Sequence, residues 1–425
     1  MEPDSIEPGS RVRRAFGATF SSLKHRNFRL YFTGQIVSNT GNWLTNIALT
    51  LLVLQLTHSG LAVGALAACQ FGPILLLSIW GGAVADRSDK RRLLLLTQSL
   101  EMAESAGLAV LAFMPHPPLA GFYALAIAGG MFLALDNPLR RSFVSEMVPD
   151  KDVANAVVIY STIVNLSRIF GPLLAGLLIV TVGYGWCFSA DAVSYLAVLA
   201  CLILMNPHEL YRHHPGPRGK GEIRAGLRYV LAEPTLWISF TMLLIIGILS
   251  YNFSVTLPLF VTDGLHKSNT TYTIIYSTMS AGSVVTALII AHRKLVQLRH
   301  AVIGAAALGV SMLALAISPN VIAAALVCIF IGVASILYTT STTALIQITS
   351  KPHMRGRVLA LQSVLLIGTT PIGGPLLGWV ADKSGGRTPL ILGGIASIVA
   401  AGIGYGTNRM YHKTYARYAA DTRPE

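Results

Sequence analysis

The chain has 425 residues, of which 53% are hydrophobic and only 12% charged, and it carries a net charge of +13. Roughly a quarter of the residues in an ordinary soluble domain are charged, because its surface faces water. A chain that omits those charges needs another solvent for its outside, so a soluble globular protein is excluded and lipid is the remaining choice. Apolar runs long enough to cross a bilayer, about twenty residues at 1.5 Å rise each, recur from end to end. In chain order they fall at 30–56, 61–85, 93–114, 119–138, 154–182, 186–205, 236–262, 270–291, 301–318, 320–345, 356–381 and 388–407. They are continuous and rich in Leu, Ala and Gly, unlike the alternating ~10-residue segments of an outer-membrane barrel. The expected fold is therefore all-α: a polytopic membrane protein with twelve transmembrane helices in two pseudo-symmetric six-helix bundles. Runs nine and ten are divided only by Ser318-Pro319-Asn320.

The positive charge is unevenly placed. Of the 32 Lys and Arg, Lys267, Lys383 and Arg387 lie in the loops of one side and Arg168 lies within a span; the rest lie in the segments of the other side. Basic residues accumulate on the cytoplasmic face of membrane proteins, so both termini are expected inside. The same distribution argues against nucleic acid as a partner. The boundaries that follow are a cytoplasmic segment 1–29, a bundle 30–205, a cytoplasmic linker 206–235, a second bundle 236–407 and a cytoplasmic tail 408–425. The linker holds His208, His213, His214, Pro215 and Pro217 before a helical stretch near Glu222, and reads as a solvated joint. The four cysteines, Cys69, Cys187, Cys201 and Cys328, have no metal-ligand spacing. No metal or cofactor is expected.

Polar residues fall in stripes within the spans. Gln35, Asn39, Asn42 and Asn46 share one face of span one, and Ser161, Asn165 and Arg168 one face of span five. Tyr272, Tyr276 and Ser283 do so on span eight, as do Ser335, Tyr338 and Thr342 on span ten. Unpaired polar groups facing hydrocarbon are costly, so the stripes should face protein or a wet path. That leaves interhelical hydrogen bonding and a substrate pathway both open. Arg168 lies roughly 21 Å into span five, and Glu104 roughly 17 Å into span three with Glu101 one turn shallower. These glutamates read as the only carboxylates deep within a span. A buried carboxylate holds its proton more tightly, so Glu101 and Glu104 are candidates for proton coupling, with pairing to Arg168 as the structural alternative.

Two further signals are mechanical. Gly171-Pro172-Leu173-Leu174-Ala175-Gly176 in span five is echoed by Gly374-Pro375-Leu376-Leu377-Gly378 in span eleven. Proline permits a kink, and Gly374 with Gly378 forms a small-residue surface for close helix approach. Six spans on each side of a polar linker is the layout of a transporter made of two repeats, with its site between them near the midplane.

The connection between spans two and three reads Gly81-Gly82-Ala83-Val84-Ala85-Asp86-Arg87-Ser88-Asp89-Lys90-Arg91-Arg92. It resembles the G-x-L-A-D-R-x-G-R-K loop of the major facilitator superfamily. Gly82, Asp86, Arg87, Lys90 and Arg91 carry the likeness, and Asp89 departs from it where the family has glycine. The resemblance extends over residues 16 to 405 and is nearest to the drug:proton antiporter branch that includes the enterobactin exporter, macrolide efflux proteins and transmembrane secretion effectors. Asn39-Thr40-Gly41-Asn42-Trp43, Asp136-Asn137-Pro138-Leu139-Arg140, the stretch from Asn155 to Pro172 and Gly226-Leu227-Arg228-Tyr229 carry it. That branch commonly has an acid where Asn42 stands, so a proton site cannot be transferred to that position. The resemblance implies a monomeric secondary transporter in a bacterial cytoplasmic membrane, exporting a small amphipathic compound against protons by alternating access. It also implies that Asp86 meets the start of span eleven near Arg355 and helps hold the cytoplasmic side closed. Uptake, lysophospholipid flipping and a transporter-fold sensor are the rival readings. No HExxH, GxSxG or Walker loop is present, and Gly216-Pro217-Arg218-Gly219-Lys220 lacks the Walker spacing, so an enzyme is not expected.

Overall fold

The structure is a computed structural model that describes residues 21–211, 222–290 and 297–421; the side chains of Ile79, Ala83, Asp86, 222–224, Asn269, His353 and 408–421 lie outside the description. All regular elements among the described residues are helical. After a short 3-10 turn at Ser21–Lys24 come α1 (Arg26–Thr57), α2 (Gly60–Arg87), α3 (Lys90–Ala112), α4 (Leu119–Glu146), α5 (Asp150–Thr181) and α6 (Tyr184–Leu204). The second half begins after α7 (Glu222–Ala232) with α8 (Pro234–Leu249), α9 (Phe253–Leu259), α10 (Asn269–Ile290), α11 (Leu298–Ala316) and α12 (Val321–Thr349). It ends with α13 (Pro352–Gly368), α14 (Thr370–Ser384) and α15 (Thr388–Asp421). Within the first half α1 packs on α5 and α6, α2 on α4, and α3 on α4 and α6; within the second, α10 and α11 pack on α12 and α15 packs on α8 and α11. The short connection at 317–320 is real. Asn320 caps α12 by accepting from the Ala323 N–H at 2.9 Å.

Among the described residues, ten stretches are long and apolar enough to cross a membrane. Helices α1 and α3 are not among them, although they have 32 and 23 residues. They carry many polar side chains, among them Gln35, Asn39, Asn42 and Asn46 on α1 and Gln98, Glu101 and Glu104 on α3, which lowers their hydropathy while their length still suffices to cross. With these two the expected total is twelve.

Two expected spans are broken. The run at 236–262 divides into α8 and α9, because the Asn252 side chain donates to the carbonyls of Gly247 (3.1 Å) and Ile248 (2.8 Å) that the next helical turn would use. A π turn at Phe260–Gly264 completes the crossing. The run at 356–381 divides at Thr369, where Pro371 opens α14 and cannot donate to the preceding turn. The two breaks meet, since a Cβ at Gly373 would overlap the Ile248 carbonyl and the Asn252 amide.

The halves join along α2 with α14 and along α5 with α10. Gly60 and Gly64 face Gly378 and Gly374, and a Cβ at Gly60, Gly64 or Gly378 would overlap the facing backbone. Small residues four apart on both helices let the backbones touch. Next to this contact the Asp382 carboxylate caps the start of α2, accepting from Ser59 Oγ at 2.8 Å, from the Gly60 N–H and from the Leu61 N–H at 2.9 Å. An anion is favourable there because the first amides of a helix have no intrahelical partner. At the same end Arg387 donates to the carbonyls of Gly264 (3.0 Å) and Ala316 (2.8 Å), the complementary arrangement of a cation at helix C-termini.

If glycine packing holds this end shut, Gly378→Leu forces it apart. Spin labels at the exposed Leu56 and Lys383 should then report a distance longer by roughly 2 Å or more, the room that an intervening leucine needs. An unchanged distribution would remove the clasp from the account.

Candidate functional site

The interior of the first half is polar, and its centre is Arg140 on α4. The guanidinium donates through Nη2 to Glu101 Oε2 at 3.0 Å, through Nη1 to Gln35 Oε1 at 3.0 Å, and through Nε to Asp136 one turn earlier on the same helix. Asp136 Oδ1 also accepts from Thr97 Oγ1 at 2.8 Å and Gln98 Nε2 at 2.9 Å. Arg140 is 5% exposed, Glu101 3%, and Asp136, Gln35 and Gln98 are fully buried. Side chains of α1, α3 and α4 thus converge on one cation. The network is not saturated: Glu101 Oε1, Gln98 Oε1 and Gln35 Nε2 are buried without a partner.

Beside it lies a cavity of about 70 Å³ lined by Asn42 and Asn46 of α1, Gln70 of α2, Glu101 and Glu104 of α3, and Asp191 and Tyr195 of α6. Asp191 accepts from three hydroxyls, Thr45 at 2.7 Å, Ser105 at 2.8 Å and Ser194 at 3.2 Å. Gly41 makes room for it, since a Cβ there would overlap the Asp191 and Ser194 side chains. Asn42 donates to Tyr195 Oη at 3.3 Å. Glu104 packs against Gly129, where a Cβ would sit 3.1 Å from its carboxyl carbon. No described residue forms an ion pair with it.

The stripe on α1 is therefore divided between two neighbouring places. Gln35 and Asn39 belong to the Arg140 network, Asn39 donating to Gln35 Oε1 at 2.7 Å, and Asn42 and Asn46 line the cavity. Arg168 is elsewhere. Its guanidinium carbon is 5.2 Å from the centre of the Trp43 ring, beside a different face of α1, and Asn165 turns back to the Ser161 carbonyl at 2.8 Å. Tyr276 of α10 has its ring 6.2 Å from Trp43 and 5.8 Å from Tyr272. Tyr338 is buried in the second half, its ring 6.3 Å from Tyr251, and is not brought to either place.

Two readings of the sequence need correction. Glu101 pairs with Arg140 and not with Arg168. Glu101 and Glu104 are not the only deep carboxylates, because Asp136 and Asp191 are 0% and 1% exposed within α4 and α6. The apolar runs 119–138 and 186–205 leave both near a run's end. Helix α4 in fact runs ten residues past Asp136 to Glu146, and α6 begins seven residues before Asp191. The signal that could have found the network is the spacing of Asp136 and Arg140, which puts them one turn apart on one face.

In the connection between α2 and α3, Lys90 pairs with Glu146, and Arg91 donates to the Leu202 (2.7 Å) and Ile203 (3.0 Å) carbonyls at the end of α6. Arg87 is exposed. Asp89 has φ −66° and caps α3 by accepting from the Arg92 N–H at 3.1 Å, so the turn needs no glycine. Gly82 is half-buried in α2, and the side chain of Asp86 lies outside the described residues, as does any contact with Arg355. Gly171 abuts Trp43, where a Cβ would overlap the Trp43 Cβ, and Pro172 and Pro375 lie inside α5 and α14.

A family model described as transmembrane secretion effector matches residues 17–420. The chain is 26% identical over 397 residues to the staphyloferrin A transporter of Staphylococcus aureus, covering 90% of this chain and 96% of that protein. It is 28% identical over 221 residues to the enterobactin exporter EntS of Shigella flexneri, of whose length it spans only about half, 53%. Among solved structures it resembles a bacterial homologue of the human lysosomal transporter Spinster in an inward-facing, unoccupied conformation, with TM-score 0.72 at 14% identity over 91% of this chain and 98% of that one. It also resembles the POT family transporter PepTSo, with TM-score 0.74 at 12% identity over 92% of this chain and 99% of that one.

Removing one partner of a buried charge network costs about 3–5 kcal/mol, because the remaining charge is left uncompensated. Arg140→Gln should therefore sharply reduce the monodisperse fraction extracted from membranes, and adding Asp136→Asn should restore part of it. Arg168→Gln should leave that fraction near wild type. Equal yields for the Arg140 and Arg168 variants would show that the Arg140 network is not what holds the first half together.

Proposed function

The chain belongs to the transmembrane secretion effector family of major facilitator transporters, and from that premise we propose that it exports a small amphipathic compound of siderophore or drug type in exchange for protons. It is a membrane transporter and not an enzyme. The observation that carries the coupling is the cavity inside the first half, walled by Glu101, Glu104 and Asp191. A membrane bundle gains no stability by keeping an ionisable side chain without a countercharge, and such residues mark ion and proton routes. Glu104 is the proton carrier in this reading. Glu101 senses its protonation state through the Arg140 network, which reaches α1.

The substrate pathway runs between the halves, past Arg168, Trp43 and Tyr276 and on toward Asn165 and Ser161. The clasp of α2 on α14 closes the outer end in this conformation, with Gly171, Pro172, Gly374, Pro375 and Gly378 as the packing elements that move. Asp86, Arg87, Lys90 and Arg91 act in the opposite state, at the cytoplasmic end. The transporter works as a monomer in a bacterial inner membrane, with both termini and the 206–235 linker inside.

Purified full-length protein in liposomes with an imposed pH gradient, scanned against a compound panel, tests this. Glu104→Gln should lower gradient-driven transport about tenfold or more, as expected when a proton-transfer group is lost, while exchange without a gradient persists. Full gradient-driven transport by that variant would defeat the proposed coupling. Reporter fusions within 210–220 should read cytoplasmic and those near Lys267 outside; an outside signal from the linker would overturn the span assignment.

A further inference from the structure

The charge systems of the first half are unequal in one respect. Arg140 has its anions built in, whereas Arg168, a permanent cation in the middle of a 32-residue helix, has none among the described residues. We propose that Arg168, Trp43 and Tyr276 form a binding subsite for an anionic group attached to a flat ring, so that the transported compound is an organic anion with an aromatic or similarly planar part. This deepens the reading of the chain as a transporter and rests on it.

The geometry is that of a prepared site. A guanidinium held over a ring by cation–π attraction keeps its charge, and the Arg168 N–H donors have no hydrogen-bond acceptor among the described residues, so they are open to a carboxylate or phosphate-like group. Here the guanidinium carbon stands 5.2 Å over the Trp43 ring, and the side chain is exposed. The half-buried Trp43 ring and the Tyr276 ring, 6.2 Å apart and inclined at 40°, form an apolar wall beside it, with Tyr276 itself 9% exposed. The backbones beneath are fixed. Gly171 lets α1 and α5 touch at Trp43, and Ser277 Oγ donates to the Ile169 carbonyl at 3.1 Å, one residue from Arg168.

The placement favours an anion over a cation. Glu101, Asp136 and Asp191 are turned into the first half and occupied by Arg140 or by hydroxyls, and Glu104 lines the cavity there against Gly129. A cationic compound at the seam would meet Arg168 with no carboxylate in compensation. The subsite also straddles the halves, since Trp43 and Arg168 belong to the first and Tyr276 to the second. A ligand that bridges them couples its own binding to their relative movement.

Equilibrium dialysis of the purified full-length protein in detergent, with protein-free micelles as the blank, tests this without any gradient. It therefore succeeds or fails independently of proton coupling and of export direction. The probes are 1-naphthoate, 1-naphthamide and 1-naphthylmethylammonium, which share one ring and differ in charge. Naphthoate should bind about tenfold or more tighter than the amide, the margin of a charge-assisted hydrogen bond, and the ammonium most weakly. Arg168→Gln, assayed on the monodisperse fraction, should abolish that preference while leaving amide binding within about twofold. Arg168→Lys should keep the preference for the anion, at lower affinity. Naphthoate binding no tighter than the amide, no naphthoate binding at all, or a preference that survives Arg168→Gln would each overturn the proposal.

Discussion

A guanidinium cannot shed its charge, and at Arg140 the fold is organised around that fact. The cation is almost fully buried, so its partners must be buried with it, and they come from three helices: Gln35 of α1, Glu101 of α3 and Asp136 of its own helix α4. Thr97 and Gln98 complete the shell of Asp136. Each of these groups would be costly in hydrocarbon alone, and together they fix how α1, α3 and α4 face one another. This is also why α1 and α3 can be the least apolar crossings in the chain. Their polar faces meet Arg140 and Asp136 of α4 and Asp191 and Tyr195 of α6, and not lipid.

Around that hub the first half keeps its ionisable groups in separate environments. Asp191 is held by three hydroxyls, which solvate a carboxylate without supplying a countercharge. Glu104 shares the cavity with it and has no ion pair among the described residues. Arg168 belongs to neither group and lies over the indole ring of Trp43.

The second half contributes shape more than charge. Its two broken crossings meet where Gly373 touches the Ile248–Asn252 turn, and its α14 lies directly on α2 through paired glycines. Backbone contact of this kind is short-ranged. It is strong when seated and vanishes with a small separation, which suits an end that closes in one state and opens in another. Asp382 adds a fixed anion at the start of α2, so the closed end is specified by direction as well as by shape.

Composition and the length of the apolar runs determined by themselves that the chain is a helical membrane protein, since lipid admits few other solutions. The residue pattern between α2 and α3 and the stripe on α1 marked the family and one wall of the polar interior. The periodicity of α1 identified Gln35, Asn39, Asn42 and Asn46 as sharing a face, because helical spacing is a local property. What stood opposite that face was not local. Asp136 and Asp191 looked like helix-end residues as long as α4 and α6 were bounded by hydropathy, and only the extended helices carried them into the interior. The partner of Glu101 was likewise beyond reach. Arg140 and Arg168 are both arginines near the same helices in sequence, and estimated depth along a span does not say on which side of α1 a side chain lies. That depends on the rotation and packing of whole helices, fixed here by Gly41 against Asp191 and Gly171 against Trp43, and so it was decided by the tertiary structure alone.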